Sequence, residues 1–274
     1  AGFAIHDRQR PDAAPVLSLP QVDLVIAWTS LLALDVRLKE LAIERPELFI
    51  RRDTAGRLHV AGIEIDPDTQ SDDAGFTDWL LRQRLIVVRD ALVSWNDELR
   101  HSPQLVLDHV MFRLERGFNV HRFGLTGSPP ADLASPLDFR GEVGAASFKD
   151  WRQAKGRFFV RLDFADVGLW REWVPLLQPV EAGQGALRMW FDFAEGKPTN
   201  MVADLELTDV RARARENLPA LELTHVGGRV AFANAPGKRE ITTTGFTFTT
   251  AGGATLAPMA MTASMTQDAQ GAIT

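Results

Sequence analysis

Apolar and polar residues alternate along much of the chain, and a period of two is the pattern of a strand with one buried face. In the first part, Val22, Leu24 and Ile26 alternate with Asp23 and Val25. The alternation is clearest in the second half, where its apolar positions are Phe158, Val160, Leu162, Phe164, Leu187, Met189, Phe191, Phe193, Leu205 and Leu207. These stretches predict strands whose apolar side chains share one face of a sheet.

Two short stretches carry helical spacing instead. They are residues 76–83 and residues 169–177, and the second holds Trp170 and Trp173 and is stopped by a proline. Strands of ~8–12 residues joined by tight turns are typical of antiparallel neighbours. We therefore predict a mostly β fold: a long, twisted antiparallel meander curled into an apolar groove, with two or three short helices. A closed barrel and a sandwich are the alternatives.

A weak internal repeat lies in the first half. Residues 41–53 (LAIERPELFIRRD) align with residues 85–97 (LIVVRDALVSWND) at an offset of 44 residues. Repeats of this period are typical of units that stack because none can bury its apolar face alone. The polar pair Arg89-Asp90, between two apolar runs, predicts a sharp corner from one strand into the next.

A polar stretch over residues 66–75, DPDTQSDDAG, predicts a linker. It divides the chain into a first β unit over residues 1–66 and continuing β-groove units over residues 76–274, with one continuous domain as the alternative. The four aspartates of this stretch also invite comparison with a calcium loop. Because Ser71 and Thr77 stand where an EF-hand needs glycine and glutamate, a solvated linker is the better interpretation.

Composition narrows the class of partner. The formal net charge of −6 argues against nucleic acid, which calls for a basic surface. The absence of cysteine excludes disulfides, thiol catalysis and cysteine-bound metal. No apolar run reaches the ~18–20 residues that span a bilayer. Both ends of the sequence have the character of cut points, so we expect a soluble piece of a longer protein.

The strongest catalytic candidate in the sequence is Trp95 with the carboxylates Asp90, Asp97 and Glu98. A carboxylate pair beside an aromatic platform is the arrangement that glycosidases use. Asp90 and Asp97 also occupy turn positions of the repeat. A role in turns is therefore the better interpretation.

Two further patterns are weaker. His109 and His121 stand on the two arms of a predicted hairpin and could share a metal, but no third ligand accompanies them. The sequence GQG at residues 183–185 matches the start of a dinucleotide fingerprint, but Arg188 occupies its third glycine position and the stretch enters a strand. We predict no catalytic residue, no metal and no cofactor.

Several phrases of the chain, read together, resemble the bacterial AsmA-like superfamily, in particular its YhdP-type branch. They lie at residues 19–65, 78–100 and 107–127. The recurring form is a strand, then Leu-x-Ile-x-x-Pro-x-Leu-x-Ile-x-Arg-Asp-x-x-Gly, then a returning strand. It is met by Leu41, Ile43, Pro46, Leu48, Ile50, Arg52, Asp53 and Gly56. The resemblance is clear over the first half of the chain. Over the second half it extends only to the general style of the sequence.

The resemblance implies a large envelope protein of Gram-negative bacteria. Such a protein would be anchored by an N-terminal helix in the inner membrane and extend through the periplasm, carrying phospholipid towards the outer membrane along repeating β-groove units. The anchor is not part of this sequence, and the family has no set of catalytic residues. The partners implied are phospholipid, the inner membrane through that anchor, and other envelope proteins.

The alternating apolar residues of the predicted strands, from Val22 to Leu207, are therefore the candidates for lining a lipid groove. Methionines at positions 259, 261 and 265 would suit a variable apolar guest because their side chains are flexible and polarizable. The alternative function is a structural or assembly module that pairs with other β proteins through its sheet edges.

Overall fold

The computed structural model describes residues 3–5, 17–26, 38–61, 63–65, 79–144, 153–195, 197–213, 215, 217–235 and 237–266. The chain divides into two compact units. Unit 1 comprises residues 1–130 and 137–155, and unit 2 comprises residues 131–136 and 156–274. Most of the described residues lie in strands, so the predicted mostly β fold is confirmed.

The strands of unit 1 are short at first and lengthen along the chain. They are β1 (Phe3–Ile5), β2 (Leu17–Leu19), β3 (Gln21–Ile26), β4 (Leu38–Glu44), β5 (Glu47–Arg52), β6 (Leu58–Val60), β7 (Ile63–Ile65), β8 (Leu85–Asp97), β9 (Leu105–Arg116), β10 (His121–Ser128) and β11 (Leu137–Gly144). The pairs β3–β4, β8–β9, β9–β10 and β10–β11 are antiparallel, as expected of hairpins.

The two copies of the repeat lie side by side, an arrangement that the repeat in the sequence does not predict. β4 and β5 both pair with β8 in parallel, with Leu41 opposite Ile86 and Arg52 opposite Asp97. The structural register is thus shifted by one residue from the sequence alignment. Unit 1 is a mixed sheet, and the purely antiparallel meander predicted for the chain is corrected to that extent.

Each copy of the repeat changes direction at a residue with left-handed backbone conformation. Arg45 has φ 50° and Asp90 has φ 56°. In β8 this residue forms a β-bulge between Val88 and Ala91, and the strand continues through it as one element. The predicted corner at Arg89-Asp90 is therefore a bulge inside a strand, whereas Pro46 does separate β4 from β5 in the first copy.

The linker predicted over residues 66–75 lies outside the described residues, and the domain division drawn there stays a prediction. The strands before it, β4 and β5, pair with β8 after it. The returning strand of the recurring form is two short strands here, β6 and β7, because the backbone turns at Ala61, where φ is 53°. Of the helix predicted over residues 76–83, residues 79–81 are helical.

The core of unit 1 forms where the repeat copies meet. Leu41 and Ile86 are buried, and Trp79 and Leu80 of the helical turn pack against them. Burial of these side chains contributes on the order of 1.5–3 kcal/mol each. The apolar face of this part of the sheet is therefore covered from within the chain.

Unit 2 is an antiparallel meander of long strands. They are β12 (Lys155–Asp166), β13 (Val180–Ala194), β14 (Lys197–Ala212), β15 (Leu221–Ala235), β16 (Lys238–Thr250) and β17 (Thr255–Thr266). The pairs from β13 to β17 follow chain order. The helix predicted over residues 169–177 is two separate pieces, α1 (Val167–Trp170) and a 3-10 turn (Pro175–Leu177), because Pro175 has no N–H to continue the first.

Candidate functional site

The alternating residues of unit 2 share one face of its sheet. Leu187 lies opposite Leu205, and Gly185 opposite Leu207, in the antiparallel register of β13 and β14. The ring of Phe158 stacks on that of Phe191 with centroids 4.9 Å apart, which places the even-numbered positions of β12 on the same face. All ten groove candidates predicted in this half therefore lie together.

The face continues across β15, β16 and β17 through cross-strand pairs. Val226 lies opposite Phe248, and Phe246 opposite Met259. We call the whole set the apolar face: Phe158, Val160, Leu162, Phe164, Leu187, Met189, Phe191, Phe193, Met201, Ala203, Leu205, Leu207, Val226, Val230, Phe232, Ile241, Phe246, Phe248, Leu256, Met259, Met261, Ala263 and Met265. Six strands at about 4.8 Å spacing make this face about 24 Å wide.

The apolar face is half-buried rather than packed away. Leu162 and Val226 are buried, but Ile241 is 44% exposed, Met261 47% and Met265 49%. No large side chain among the described residues is fully buried. A closed core of this size would enclose many such side chains. The described residues therefore leave much of this face in contact with solvent.

Charged pairs and threonines occupy the opposite, polar face of the same strands. Arg229 binds Asp204 through two hydrogen bonds, of 2.6 and 2.8 Å. Hydrogen bonds from Arg229 hold the pKa of the Asp204 carboxyl below its ordinary value, against a smaller opposing effect of burial. Arg161 binds Asp163 in the same way at 2.8 Å. An aromatic pair, Phe159 and Trp190, lies among these ions.

Thr243 is a polar residue on the apolar face, and its hydroxyl is used internally. The hydroxyl oxygen accepts a hydrogen bond of 3.1 Å from the backbone N–H of Met261, and Thr243 is buried. The exposed part of the face is therefore apolar. It extends to the last cross-strand pairs at one end of the sheet, where Asn234 lies opposite Arg239.

A line of glycines crosses the middle of unit 2. Gly185 has φ 154° and Gly228 has φ 126°. A Cβ on Gly185 would collide with the carbonyl oxygen of Glu206, and one on Gly228 would lie 2.7 Å from the Cα of Phe246. Only glycine permits this close approach of neighbouring backbones. The GQG sequence at residues 183–185 is explained by this packing, because it lies within β13 and precedes no helix.

The helical segment after β12 packs against the beginning of β13. The side chain of Asp166 caps α1 by accepting a hydrogen bond of 2.9 Å from the N–H of Leu169. A Cβ on Gly183 would lie 3.0 Å from Val167 and 3.1 Å from Val210. The indole N–H of Trp170 is buried with no hydrogen-bond partner. This segment covers one end of the apolar face.

The three candidates of the first half lie in unit 1, on β3. Val22, Leu24 and Ile26 are opposite Ile43, Leu41 and Leu38 of β4. Val22 is 40% exposed. They belong to unit 1, whereas the other ten candidates belong to unit 2, and they are not part of the apolar face.

Two of the three candidate carboxylates near Trp95, Asp97 and Glu98, are held by arginines of the first repeat copy. Arg52 donates to Asp97 from Nε at 2.9 Å and also from Nη2, and Arg51 donates to Glu98 at 3.2 Å. Burial would raise the pKa of Asp97, but hydrogen bonds from Arg52 and the N–H of Arg100 outweigh it and lower the pKa. These side chains tie β5 to β8, so the glycosidase-like interpretation is disfavoured.

The two histidines do not share a site. His121 lies opposite Arg116, and its Nε2 contacts the carbonyl oxygen of Leu81 at 2.9 Å. His109 is exposed and its Nδ1 lies 2.8 Å from Asp90. Among the residues that the structure describes, no group of three potential ligands could hold a metal ion, and the aspartates of the predicted linker lie outside them.

Several members of the apolar face are absent from the sequence-based candidates. Met201 is in an imperfect part of the alternation beside Asn200, and Val226 lies next to the glycine pair at 227–228. Their signal was weakened by bulges, which shift the phase of a period-two pattern. In β15–β17 the signal was available: Met259 and Met261 were named as suited to an apolar guest, and Val230 and Phe232 also alternate with small or polar residues.

None of the described helices is long and apolar enough to cross a membrane. The fold and the candidate site define a β protein whose unit 2 sheet has two unlike faces. Among the described residues, one face is apolar and partly uncovered, and the other carries ion pairs.

Residues 2–274 match the model of the YhdP protein family, and the chain belongs to that family. The match places it broadly among lipid-transfer proteins and confirms the resemblance seen in the sequence. No curated protein and no solved structure matches the chain significantly.

Proposed function

We propose that the apolar face of unit 2 shields the acyl chains of phospholipid from water. The chain then acts in the periplasm as part of an inner-membrane-anchored envelope protein that conducts phospholipid between the inner and outer membranes. It does so as a surface and carries out no chemical reaction. The observation that supports this proposal is the half-exposed, continuous apolar face opposite a face of ion pairs.

The physical requirement for lipid movement is to avoid exposing hydrocarbon. Each CH₂ group in water costs about 0.8 kcal/mol, so an acyl chain of about sixteen carbons costs on the order of 12 kcal/mol. A face of phenylalanine, leucine and methionine removes most of that cost without a specific contact. The methionines of β17 adapt to acyl chains of different shape because their side chains rotate freely.

The test of this proposal substitutes two adjacent residues of β13, one on each face of the sheet. Phe191 belongs to the apolar face and Trp190 to the polar face. Phe191→Asp is expected to lower the affinity for a pyrene-labelled phospholipid at least tenfold, because a carboxylate on that face must be desolvated by the acyl chain. Trp190→Asp, which removes an aromatic of similar size, should leave the affinity within about twofold.

Pyrene fluorescence gives the affinity, and far-ultraviolet circular dichroism with urea titration verifies that both variants fold. Phe191 is chosen over Leu162 because Leu162 is only 7% exposed, and a charge there would unfold the protein. Equal losses in the two variants would contradict the proposal.

A second candidate function rests on β17. Eleven of its twelve residues are exposed, and its described pairing is with β16 alone. A strand with an open edge presents unpaired N–H and C=O groups to another strand. Unit 2 is then an assembly module that extends its sheet by pairing with a β-strand of another protein.

A further inference from the structure

A cation-rich depression lies at the end of the unit 2 sheet away from α1. Its volume is about 490 Å³, and it is formed by the turns between β13 and β14 and between β15 and β16 together with the end of β17. Three cations, Lys197, Lys238 and Arg239, line it, against one carboxylate, Glu195. The hydrogen-bonding residues Thr199, Asn234 and Thr266 complete the polar part.

The depression is continuous with the apolar face. Arg239 lies opposite Met265 of that face in the register of β16 and β17, and opposite Asn234 of β15. Ile241, two residues further along β16, is 44% exposed and belongs to the apolar face. The apolar face therefore ends at Arg239, and Lys238, the preceding residue of β16, lies on the other side of the strand and lines the same depression.

The lysines occupy equivalent places in successive hairpins. Lys197 is the first residue of β14 and Lys238 the first residue of β16. The chain has only five lysines among its 274 residues, so two in one depression is a concentration that chance distribution does not favour. The separation of β14 from β16 by one strand spaces the two backbones by about 10 Å.

We propose that this basic rim, Lys197, Lys238 and Arg239, binds the phosphate of a phospholipid head group whose acyl chains lie on the apolar face. The inference rests on the proposed function and adds a head-group site to it. The guanidinium of Arg239 supplies paired donors to phosphate oxygens, and the two ammonium groups supply mobile charges around it. Apolar and cationic surfaces that meet at one edge match the two halves of a phospholipid.

A second carboxylate, beside the depression, competes with the anion for Lys238. Glu240 accepts a hydrogen bond of 2.5 Å from Lys238, on the exposed surface. Exposed pairs of this kind contribute little net free energy, so a phosphate can recruit the lysine. Removal of the competing charge in Glu240→Gln should therefore strengthen phosphate binding, opposite in sign to the lysine substitutions.

The test compares two pyrene-labelled lipids with identical acyl chains on the full chain. Phosphatidylglycerol carries the phosphate, and diacylglycerol lacks it. Wild-type protein is expected to prefer phosphatidylglycerol about tenfold at low salt, with the preference shrinking as ionic strength rises. The triple variant Lys197→Gln, Lys238→Gln, Arg239→Gln should bind both lipids equally, and Glu240→Gln should raise the preference.

The matched control removes three cations from the polar face of the same unit, in Arg161→Gln, Arg188→Gln, Arg229→Gln. It changes the net charge equally and should keep the preference. Loss of the preference in this control would assign it to net charge and overturn the site. Equal binding of both lipids by wild type would overturn the head-group site alone, whereas binding of neither lipid would overturn the proposed function as well.

A final experiment distinguishes binding of a phospholipid phosphate from binding of free inorganic phosphate. Inorganic phosphate titrated into the chain by calorimetry is expected to bind at least a hundredfold more weakly than phosphatidylglycerol, since it gains nothing from the apolar face. Affinity for inorganic phosphate equal to that for the lipid would identify a free-anion site and overturn the proposal.

Discussion

Single residues in this protein decide how closely neighbouring strands approach. Gly185 and Gly228 stand where a side chain would enter the backbone of the next strand. Asp53 fixes the turn that follows the first repeat copy: it accepts from the backbone N–H groups of Ala55 and Arg57 at 3.0 and 2.9 Å and contacts His59. At the two glycines the requirement is steric, and at Asp53 it is for a hydrogen-bond acceptor. In each case the residue present meets that requirement.

Gly185→Ala should lower the free energy of unfolding by about 3 kcal/mol, because the new Cβ meets the Glu206 carbonyl and the backbone is strained at φ 154°. Gly252→Ala in the same unit is the control. A Cβ there would meet only the hydroxyl of Thr250, at 3.8 Å, and the change should stay below about 1 kcal/mol. Urea denaturation measures both, and a similar small effect at Gly185 would contradict the geometry.

The turn at Asp53 makes stability depend on pH. Burial of Asp53 opposes its ionisation, but hydrogen bonds from His59, Arg57 and Ala55 outweigh it and lower its pKa well below the ordinary 3.8. Since the pKa falls on folding, the stabilisation is present above pH about 4 and is lost as the pH falls further. Asp53→Asn should lower the melting temperature by several degrees at pH 7.

The difference between wild type and Asp53→Asn should narrow at pH 3, because the wild-type carboxylate no longer contributes in full. Calorimetric scans at the two pH values measure it. Asp132→Asn, at an exposed carboxylate, is the control for a general charge effect and should change the melting temperature little at either pH. A constant difference for Asp53→Asn would exclude this role.

At the scale of elements, β17 pairs with β16 alone among the described strands of unit 2, and its other edge is open to another strand. The N–H of Met261 points to β16, where it donates to Thr243, so the N–H of Thr262 points to the open edge. Thr262→Pro removes that outward donor and should abolish any concentration-dependent association of the chain measured by analytical ultracentrifugation. Phospholipid affinity should be unchanged. Association that persists in the variant would exclude pairing through this edge.

Much of the fold was predictable from alternation, since long regular strands such as β13 keep one phase over many residues. The parallel pairing of β4 and β5 with β8 was not predictable, because a repeat fixes similarity and leaves the partner of each strand open. The offset also differed by one residue, since the left-handed residues Arg45 and Asp90 align with each other in the structure and not in the sequence alignment.

The candidate site was predictable as a set of residues but not as a surface. Period two is the same for an open face and for a closed core. Exposure separates them: Met265 at 49% and Ile241 at 44% lie in strands whose opposite face is threonine and glutamate. The basic rim was not found in the sequence because Lys197 and Lys238 are 41 residues apart and meet only through hairpin register.

At the scale of the whole molecule, apolar and ionic side chains are kept on opposite sides of the unit 2 sheet. In ordinary core packing a second layer covers the apolar side, whereas the described residues of unit 2 leave Ile241 44% and Met265 49% exposed there. In unit 1, by contrast, Trp79 and Leu80 supply such a cover over Leu41 and Ile86. We propose that the uncovered part of the apolar face holds acyl chains.

Mass spectrometry of lipid extracted from the purified, undenatured chain tests whether acyl chains bind there. After expression in a Gram-negative host, wild-type protein is predicted to carry phospholipid in near-stoichiometric amount through gel filtration. Phe191→Asp should carry little, and Trp190→Asp should carry as much as wild type. Wild-type protein that is free of lipid, and takes up none when mixed with phospholipid micelles, would contradict the account.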